Sequence, residues 1–242
     1  MCALIWIFEQ GDAWIIDTDF EIRTAVQDRL ERYLVADEVR IDDISETGVL
    51  FHLFGQSVFN LPWAEEGVQT SRLGIPGIDL WIPKDQTEHI HKKLSDLEIS
   101  EATRQYSELL RIASGIPVWG TEISEDTLPA EAGLDRWAID FAKGCYVGQE
   151  IVSRIRSVGR INRRLVGFIA DNLTPAAKII DSVSKASVGS LTSVAFHIEL
   201  SQTIALGYLK TGSVPATASF LAVESGKEIP VRTFEFPLSL SK

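Results

Sequence analysis

FAKGCYVGQEIVSR, from Phe141 to Arg154, packs a lysine, a cysteine, a tyrosine, two glycines and a Gln-Glu pair into one short stretch. Gly144 and Gly148 bracket Cys145, Tyr146 and Val147, so the backbone can turn sharply on either side of the thiol. Beyond Gly148, Ile151 and Ile155 stand four apart, the spacing of a short helix. Cys145 is therefore expected on a loop feeding a helix N-terminus with Lys143 beside it, and both features favour thiolate over thiol. The competing reading is a small buried hydrophobe, the usual fate of a single cysteine. The glycines, Lys143 and the pair Gln149 and Glu150 weigh for a working thiol.

Upstream of this block the chain mixes strands and helices. Leu4 to Phe8 and Ala13 to Asp17 are short β-type runs split by Gln10, Gly11 and Asp12, a hairpin signal. Thr18 and Glu21 stand as a capping box before a helical stripe of Ile22, Val26, Leu30 and Leu34. Val39 to Ile44 and Val49 to Phe54 read as two further strands, and Trp81 to Pro83 ends another. Asp85 and Glu88 open a helix carrying Ile90 and Leu94. Ser100 is expected to cap a helix through Tyr106, Leu109, Leu110 and Ala113, stopped by Gly115 and Pro117. The reading for residues 1–159 is α+β.

Downstream the pattern changes. Leu165 to Ala170, Ser187 to Leu191, Ile204 to Leu209, Ala218 to Val223 and Val231 to Phe234 are β-type runs spaced by Pro, Gly, Ser and Asn, with no helical stripe. Residues 160–242 are expected to form a small all-β barrel domain or a sandwich.

Composition narrows the function classes. With 45% hydrophobic and 24% charged residues, the 242-residue chain is ordinary soluble protein, and no apolar run approaches a membrane span. Its start lacks the marks of a secretory or transit peptide. Cys2 and Cys145 are too few for a disulfide framework and form no CxxC pair, which points to a reducing compartment. The net charge of −11 argues against direct nucleic-acid binding. Against that acidity the cluster Arg154, Arg156, Arg160, Arg163 and Arg164 is either a solvated face at a domain junction or an anion-binding group. His52, His89, His91 and His197 sit in no motif, so Cys-His catalysis has little support.

Phe141 to Arg154 resembles the signature of the YgfZ-type folate-binding proteins, relatives of the glycine-cleavage aminomethyltransferases. Leu53 to Gln56 (LFGQ) and Ser71 to Pro83 (SRLGIPGIDLWIP) are similar to landmarks of the folate-binding domain. Arg111 to Pro117 (RIASGIP), Gly120 and Leu128 to Gly133 (LPAEAG) resemble its next block, while Val188 to Phe196 and Ile204 to Leu209 resemble the barrel of the same family. The resemblance implies an aminomethyltransferase-like folate-binding domain over 1–159, lacking its N-terminal part, followed by the barrel over 160–242. Relatives carry several dozen residues upstream of Leu4, including the aspartate that aminomethyltransferases use beside the one-carbon unit. That aspartate has no counterpart here.

The resemblance implies tetrahydrofolate as cofactor, with Glu131 gripping the pterin ring and Arg111, Arg154 and Arg156 in the folate site. A pterin edge offers an amino group and a ring N–H side by side, and one carboxylate can accept both. Read from the residues alone, Glu131 is instead an exposed loop glutamate between Pro129 and Gly133. The implied function is an accessory role in iron–sulfur cluster assembly or repair, with a link to tRNA modification, in the cytoplasm. Iron–sulfur proteins or assembly factors would be the partners, with no membrane. Cys145 would serve as the working thiol, as a transient iron or cluster ligand or a nucleophile in thiol exchange. A single cysteine cannot hold a cluster alone, so a partner or second copy would share it. Two alternatives stand beside this reading. One is a folate-dependent aminomethyl-type transferase, and the other is a non-catalytic scaffold with a degenerate folate site and an inert Cys145.

Overall fold

The computed structural model describes residues 1–35, 38–150, 152–153, 161–212 and 219–238. The chain divides into two compact units, one spanning Cys2–Arg104 and the other Gln105–Lys242 together with Met1. The barrel strands begin at Arg163, so the compact units separate upstream of the change in sequence pattern near residue 160.

In the Cys2–Arg104 unit, β1 (Trp6–Gln10) and β2 (Ala13–Asp17) form the expected hairpin. A second sheet has the order β3 (Gly48–Phe54), β5 (Gly77–Pro83), β4 (Val68–Thr70), all antiparallel. Ile78 and Leu80 of β5 lie on the same face as Leu53 of β3, and with Val58 and Leu94 they form this unit's core. Leu94 comes from α2 (Thr87–Asp96), which packs its apolar stripe there with Ile90. Helix α1 (Arg23–Glu31) buries only Val26.

Three expectations for this unit are corrected. Thr18 caps no helix, because its hydroxyl donates to Leu4 O at 3.1 Å and ties the hairpin instead. The stripe Ile22 to Leu34 is longer than α1, which ends at Glu31. Residues 39–44 form no strand. There the polar side chains bond locally, Arg40 to Asp42 at 2.7 Å and the Ser45 N–H to Asp43 Oδ1 at 2.9 Å, and such contacts compete with a sheet ladder.

In the second unit α3 (Arg104–Ser114) starts after Ser100, which is therefore not its cap, and ends at Gly115 with φ +72° as expected. The barrel closes in the order β10 (Phe220–Glu224), β11 (Lys227–Phe234), β6 (Arg163–Ala170), β9 (Gln202–Lys210), β8 (Ser187–His197), β7 (Lys178–Asp181). Every pairing is antiparallel. Alternation along β6 sends Phe168 and Ala170 into the barrel core with Ile179, Leu191 and Ala205. The opposite face of the same strands, Leu165, Ile169, Ile204, Leu206 and Tyr208, packs against Ile112 of α3. Ile112 is fully buried, which stabilises the helix on the barrel by about 1.5–3 kcal/mol. The fold class is the one expected, α+β elements followed by a small all-β barrel.

Candidate functional site

The segment between α3 and β6 carries most of the residues singled out by sequence. Gly115 turns the chain where its missing Cβ leaves room for the Phe236 ring. Val118 O then accepts the Ile123 N–H at 3.0 Å, folding a tight turn around Glu122. The Glu122 side chain is completely buried. Its Oε1 accepts from Thr192 Oγ1 at 2.7 Å and Ser193 Oγ at 2.5 Å. Its Oε2 accepts from the Val118 N–H at 3.1 Å and from Arg111 Nη1 at 3.3 Å. A buried carboxylate costs several kcal/mol unless it is paired in this way. Nothing in the sequence marked Glu122.

Arg111 is buried and spends its whole donor set inside the protein. Nε and Nη2 grip Glu108, Nη2 also meets Ser193 Oγ at 2.7 Å, and Nη1 reaches Ile116 O at 3.2 Å besides Glu122. The guanidinium therefore pins α3 and the following turn to strand β8.

Glu131 is buried, in contrast to the exposed loop glutamate its neighbours suggest. Its backbone carbonyl accepts the Leu165 N–H at 2.8 Å, which locks the turn onto β6. Its Oε2 accepts from Arg163 Nε at 3.0 Å, and Oε1 is given no donor among the described residues. The Arg163 guanidinium carbon lies 4.4 Å from the Tyr208 ring centroid, and the Tyr208 hydroxyl donates to Glu122 O at 2.8 Å. Burial pushes the Tyr208 phenol up to about 12, with Arg163 opposing and Glu122 and Glu131 adding to the rise. One chain of contacts thus runs from Glu131 through Arg163, Tyr208 and Glu122 to Arg111. Among the described residues the buried Glu131 carboxylate keeps one oxygen without a donor, able to accept an N–H from a ligand.

Cys145 is exposed. Gly148 has φ +91° and its N–H-bonded turn, Gln149 N–H to Tyr146 O at 3.1 Å, leads into helical residues 149, 150, 152 and 153. Gly144 does not adopt a positive φ, so only the second glycine of the pair is needed for the turn. Lys143 Nζ lies 4.5 Å from the Tyr146 ring centroid, a cation–π contact that orders the loop beside the thiol. Gln149 is half-buried and Glu150 exposed. Arg154, Arg156 and Arg160 lie outside the described residues. Among the described residues no group of three or more His, Cys, Asp or Glu is placed to hold a metal ion.

The Cys2–Arg104 unit holds a second buried charge cluster that sequence reasoning missed. His52 of β3 and Asp79 of β5 are direct cross-strand partners, with Nδ1 and Oδ1 2.7 Å apart. Arg72 donates to Asp79 Oδ2 and to Asp17 Oδ2, both at 2.5 Å. Burial alone would raise the Asp79 carboxyl, but the His52 hydrogen bond and the Arg72 charge outweigh it and hold the group below its ordinary value.

Comparison with known proteins agrees with this architecture. Residues 163–239 match the glycine cleavage T-protein C-terminal barrel domain. The mitochondrial aminomethyltransferase of Solanum tuberosum is 32% identical over 66% of this chain and 40% of its own length. The mitochondrial iron-sulfur cluster assembly factor IBA57 homologue of Dictyostelium discoideum is 27% identical over 73% of this chain and 44% of its own. The chain therefore spans less than half the length of either relative. The crystal structure of the glycine cleavage system aminomethyltransferase T from Bartonella henselae superposes with a TM-score of 0.82 at 19% identity, covering 97% of this chain and 71% of that one. Among the described residues no helix is long and apolar enough to cross a membrane. The fold is aminomethyltransferase-like, with a glycine cleavage T-protein barrel at its end.

Proposed function

We propose that this aminomethyltransferase-like chain is a YgfZ-type tetrahydrofolate-binding accessory protein in iron–sulfur cluster assembly or repair, acting in the cytoplasm. Residues 1–159 bind the folate and residues 160–242 brace the site. The observation that carries the reading is Glu131, a buried carboxylate whose position is fixed by Arg163 and by β6 while, among the described residues, one oxygen meets no donor. That is the acceptor a pterin edge needs. Arg111 contributes by holding the turn in place, since its own donors are engaged within the protein. Arg154 and Arg156 supply positive charge toward the carboxylate tail of the folate.

Cys145 is the working thiol of this reading. It stands exposed on the KGCYVGQE loop, accessible to an iron–sulfur partner or assembly factor that shares a transient cluster. The assembly factor homologue among the relatives supports the cellular context. Titration calorimetry with tetrahydrofolate under anaerobic conditions tests the first step. Saturable binding at one site per chain is expected, and no binding heat at any temperature rejects the reading.

The similarity to the potato aminomethyltransferase favours a second reading, folate-dependent one-carbon transfer. It requires turnover of an aminomethyl donor in the presence of tetrahydrofolate, whereas the accessory reading expects binding without turnover.

A further inference from the structure

The β1–β2 hairpin has one covered face and one bare one. Alternation sends Phe8 into the interior, with Trp6, Ile15 and Asp17 half-buried on the same side. That side is held by Arg72, whose guanidinium carbon lies 5.0 Å from the Trp6 ring centroid and whose Nη1 donates to Asp17. The other face presents Ile7, Glu9, Trp14 and Ile16. Ile7 and Ile16 are direct cross-strand partners, and so are Glu9 and Trp14. Ile7 is 54% exposed, Trp14 66% and Ile16 38%, a contiguous apolar patch rather than one stray side chain. Among the described residues no third strand joins the ribbon.

Other exposed aromatic rings of this unit are covered by its own arginines. The guanidinium carbon of Arg23 lies 3.7 Å from the Phe20 ring centroid, and that of Arg29 lies 5.2 Å from Tyr33. Among the described residues Trp14 has neither a cation nor a ring against it, and its cross-strand partner Glu9 makes no ion pair. A carboxylate beside a bare indole is what a guanidinium engages at once, the first through its donors and the second through the ring face. The Ile7–Ile16 pair lies two residues further along, about 7 Å away, which is also the spacing of alternate side chains in an extended chain.

The charge of the chain points the same way. The Cys2–Arg104 unit holds 20 acidic and 9 basic side chains, so it carries the whole net charge of −11. Residues 1–22 contribute five carboxylates and no lysine or arginine. A second copy would set this acidic stretch against itself, and an anionic lipid surface would be repelled in the same way. A basic segment is attracted.

We infer that the outer face of the β1–β2 hairpin docks a partner protein through an extended basic segment. An arginine of that segment lies against Glu9 and Trp14, and an aliphatic side chain two positions away covers Ile7 and Ile16. The docking requires neither Glu131 nor Cys145.

The test is fluorescence anisotropy at low salt with labelled peptides blocked at both ends. In the first, threonine alternates with isoleucine, arginine and isoleucine; in the second, glutamate replaces the arginine. The proteins are the unaltered chain, Trp14→Ser, Glu9→Gln and, as a control, Val183→Ser, an exposed apolar side chain between β7 and β8. The arginine peptide should bind saturably and the glutamate peptide should not. Trp14→Ser should weaken binding about tenfold or more, through loss of the apolar and cation–π contacts. Glu9→Gln should weaken it about two- to fivefold, the scale of an exposed ion pair, and Val183→Ser should leave it unchanged. The inference is overturned if the arginine peptide does not bind, if the glutamate peptide binds equally, if neither hairpin change weakens binding, or if Val183→Ser weakens it as much. Self-association of the chain that Trp14→Ser abolishes would give the face to a second copy, and binding to phosphatidylcholine vesicles that it abolishes would give it to lipid; either result also overturns the inference. Glu9→Gln decides the matter alone should Trp14→Ser disturb the hairpin.

Discussion

Glu131 and Arg163 meet at 3.0 Å between Oε2 and Nε, on a turn that also surrenders its backbone carbonyl to β6. One contact therefore holds the carboxylate and the other its turn, so the Glu131 side chain is positioned without a ligand. Preorganisation of this sort lowers the ordering cost of binding. Glu131→Gln keeps the shape and a neutral acceptor for Arg163 but removes the charge. It should weaken tetrahydrofolate binding by about 1.5–3 kcal/mol, the worth of a hydrogen bond to a charged group. Calorimetry giving equal affinities for the two proteins would remove Glu131 from the site.

Arg111 is expected to matter for stability rather than contact with the ligand. Replacing it with methionine leaves Glu122 buried without its cation, a loss of about 3–5 kcal/mol for a broken buried pair. Chemical denaturation should show that loss, while tetrahydrofolate affinity of the folded fraction changes little. A variant of normal stability that fails to bind folate would reverse the assignment.

The Asp79 cluster predicts acid sensitivity in the Cys2–Arg104 unit. A carboxyl held below its unfolded value of about 3.9 contributes stability that is complete above that pH. The contribution is lost as pH falls through the lower folded-state value. Asp79→Asn should therefore flatten the acid limb of the stability curve. It should also destabilise the neutral protein, since Arg72 and His52 lose their shared anion. An acid limb identical in the two proteins would contradict this.

Tyr208 makes the converse prediction at high pH. Its phenol is raised to about 12, so it stabilises the fold fully below the ordinary value of about 10 and loses that effect as pH rises toward 12. Ultraviolet titration should show one of the four tyrosines ionising late, and Tyr208→Phe should remove that late step. A late step that survives the substitution belongs to another tyrosine.

Much of this architecture is legible in the sequence where apolar spacing and turn residues coincide. The β1–β2 hairpin, α2, the end of α3 at Gly115 and five of the barrel strands are of that kind. Strands β4 and β7, three and four residues long, escape because so short a run has no alternation to detect. Residues 39–44 mislead in the other direction, since their alternation is spent on local contacts of Arg40 and Asp43. At the site, the motif around Cys145 stands out in the chain itself. The burial of Glu131 does not, because it depends on β6 closing over a turn more than thirty residues earlier. Glu122 and the His52–Asp79 pair are invisible for the same reason, being products of long-range register rather than local composition.

The central claim is that a folate-binding chain acts in iron–sulfur assembly through the Cys145 thiol. Its most direct test is the activity of an iron–sulfur enzyme in cells that lack the native protein and are supplied with Cys145→Ser. The substitution nearly preserves volume at an exposed position, so stability should change by no more than about 1 kcal/mol. Cys2, also exposed, serves as the control when replaced in the same way. The account predicts that the unaltered chain and Cys2→Ser restore the enzyme while Cys145→Ser, folded and present at normal levels, does not. Full restoration by Cys145→Ser would contradict it.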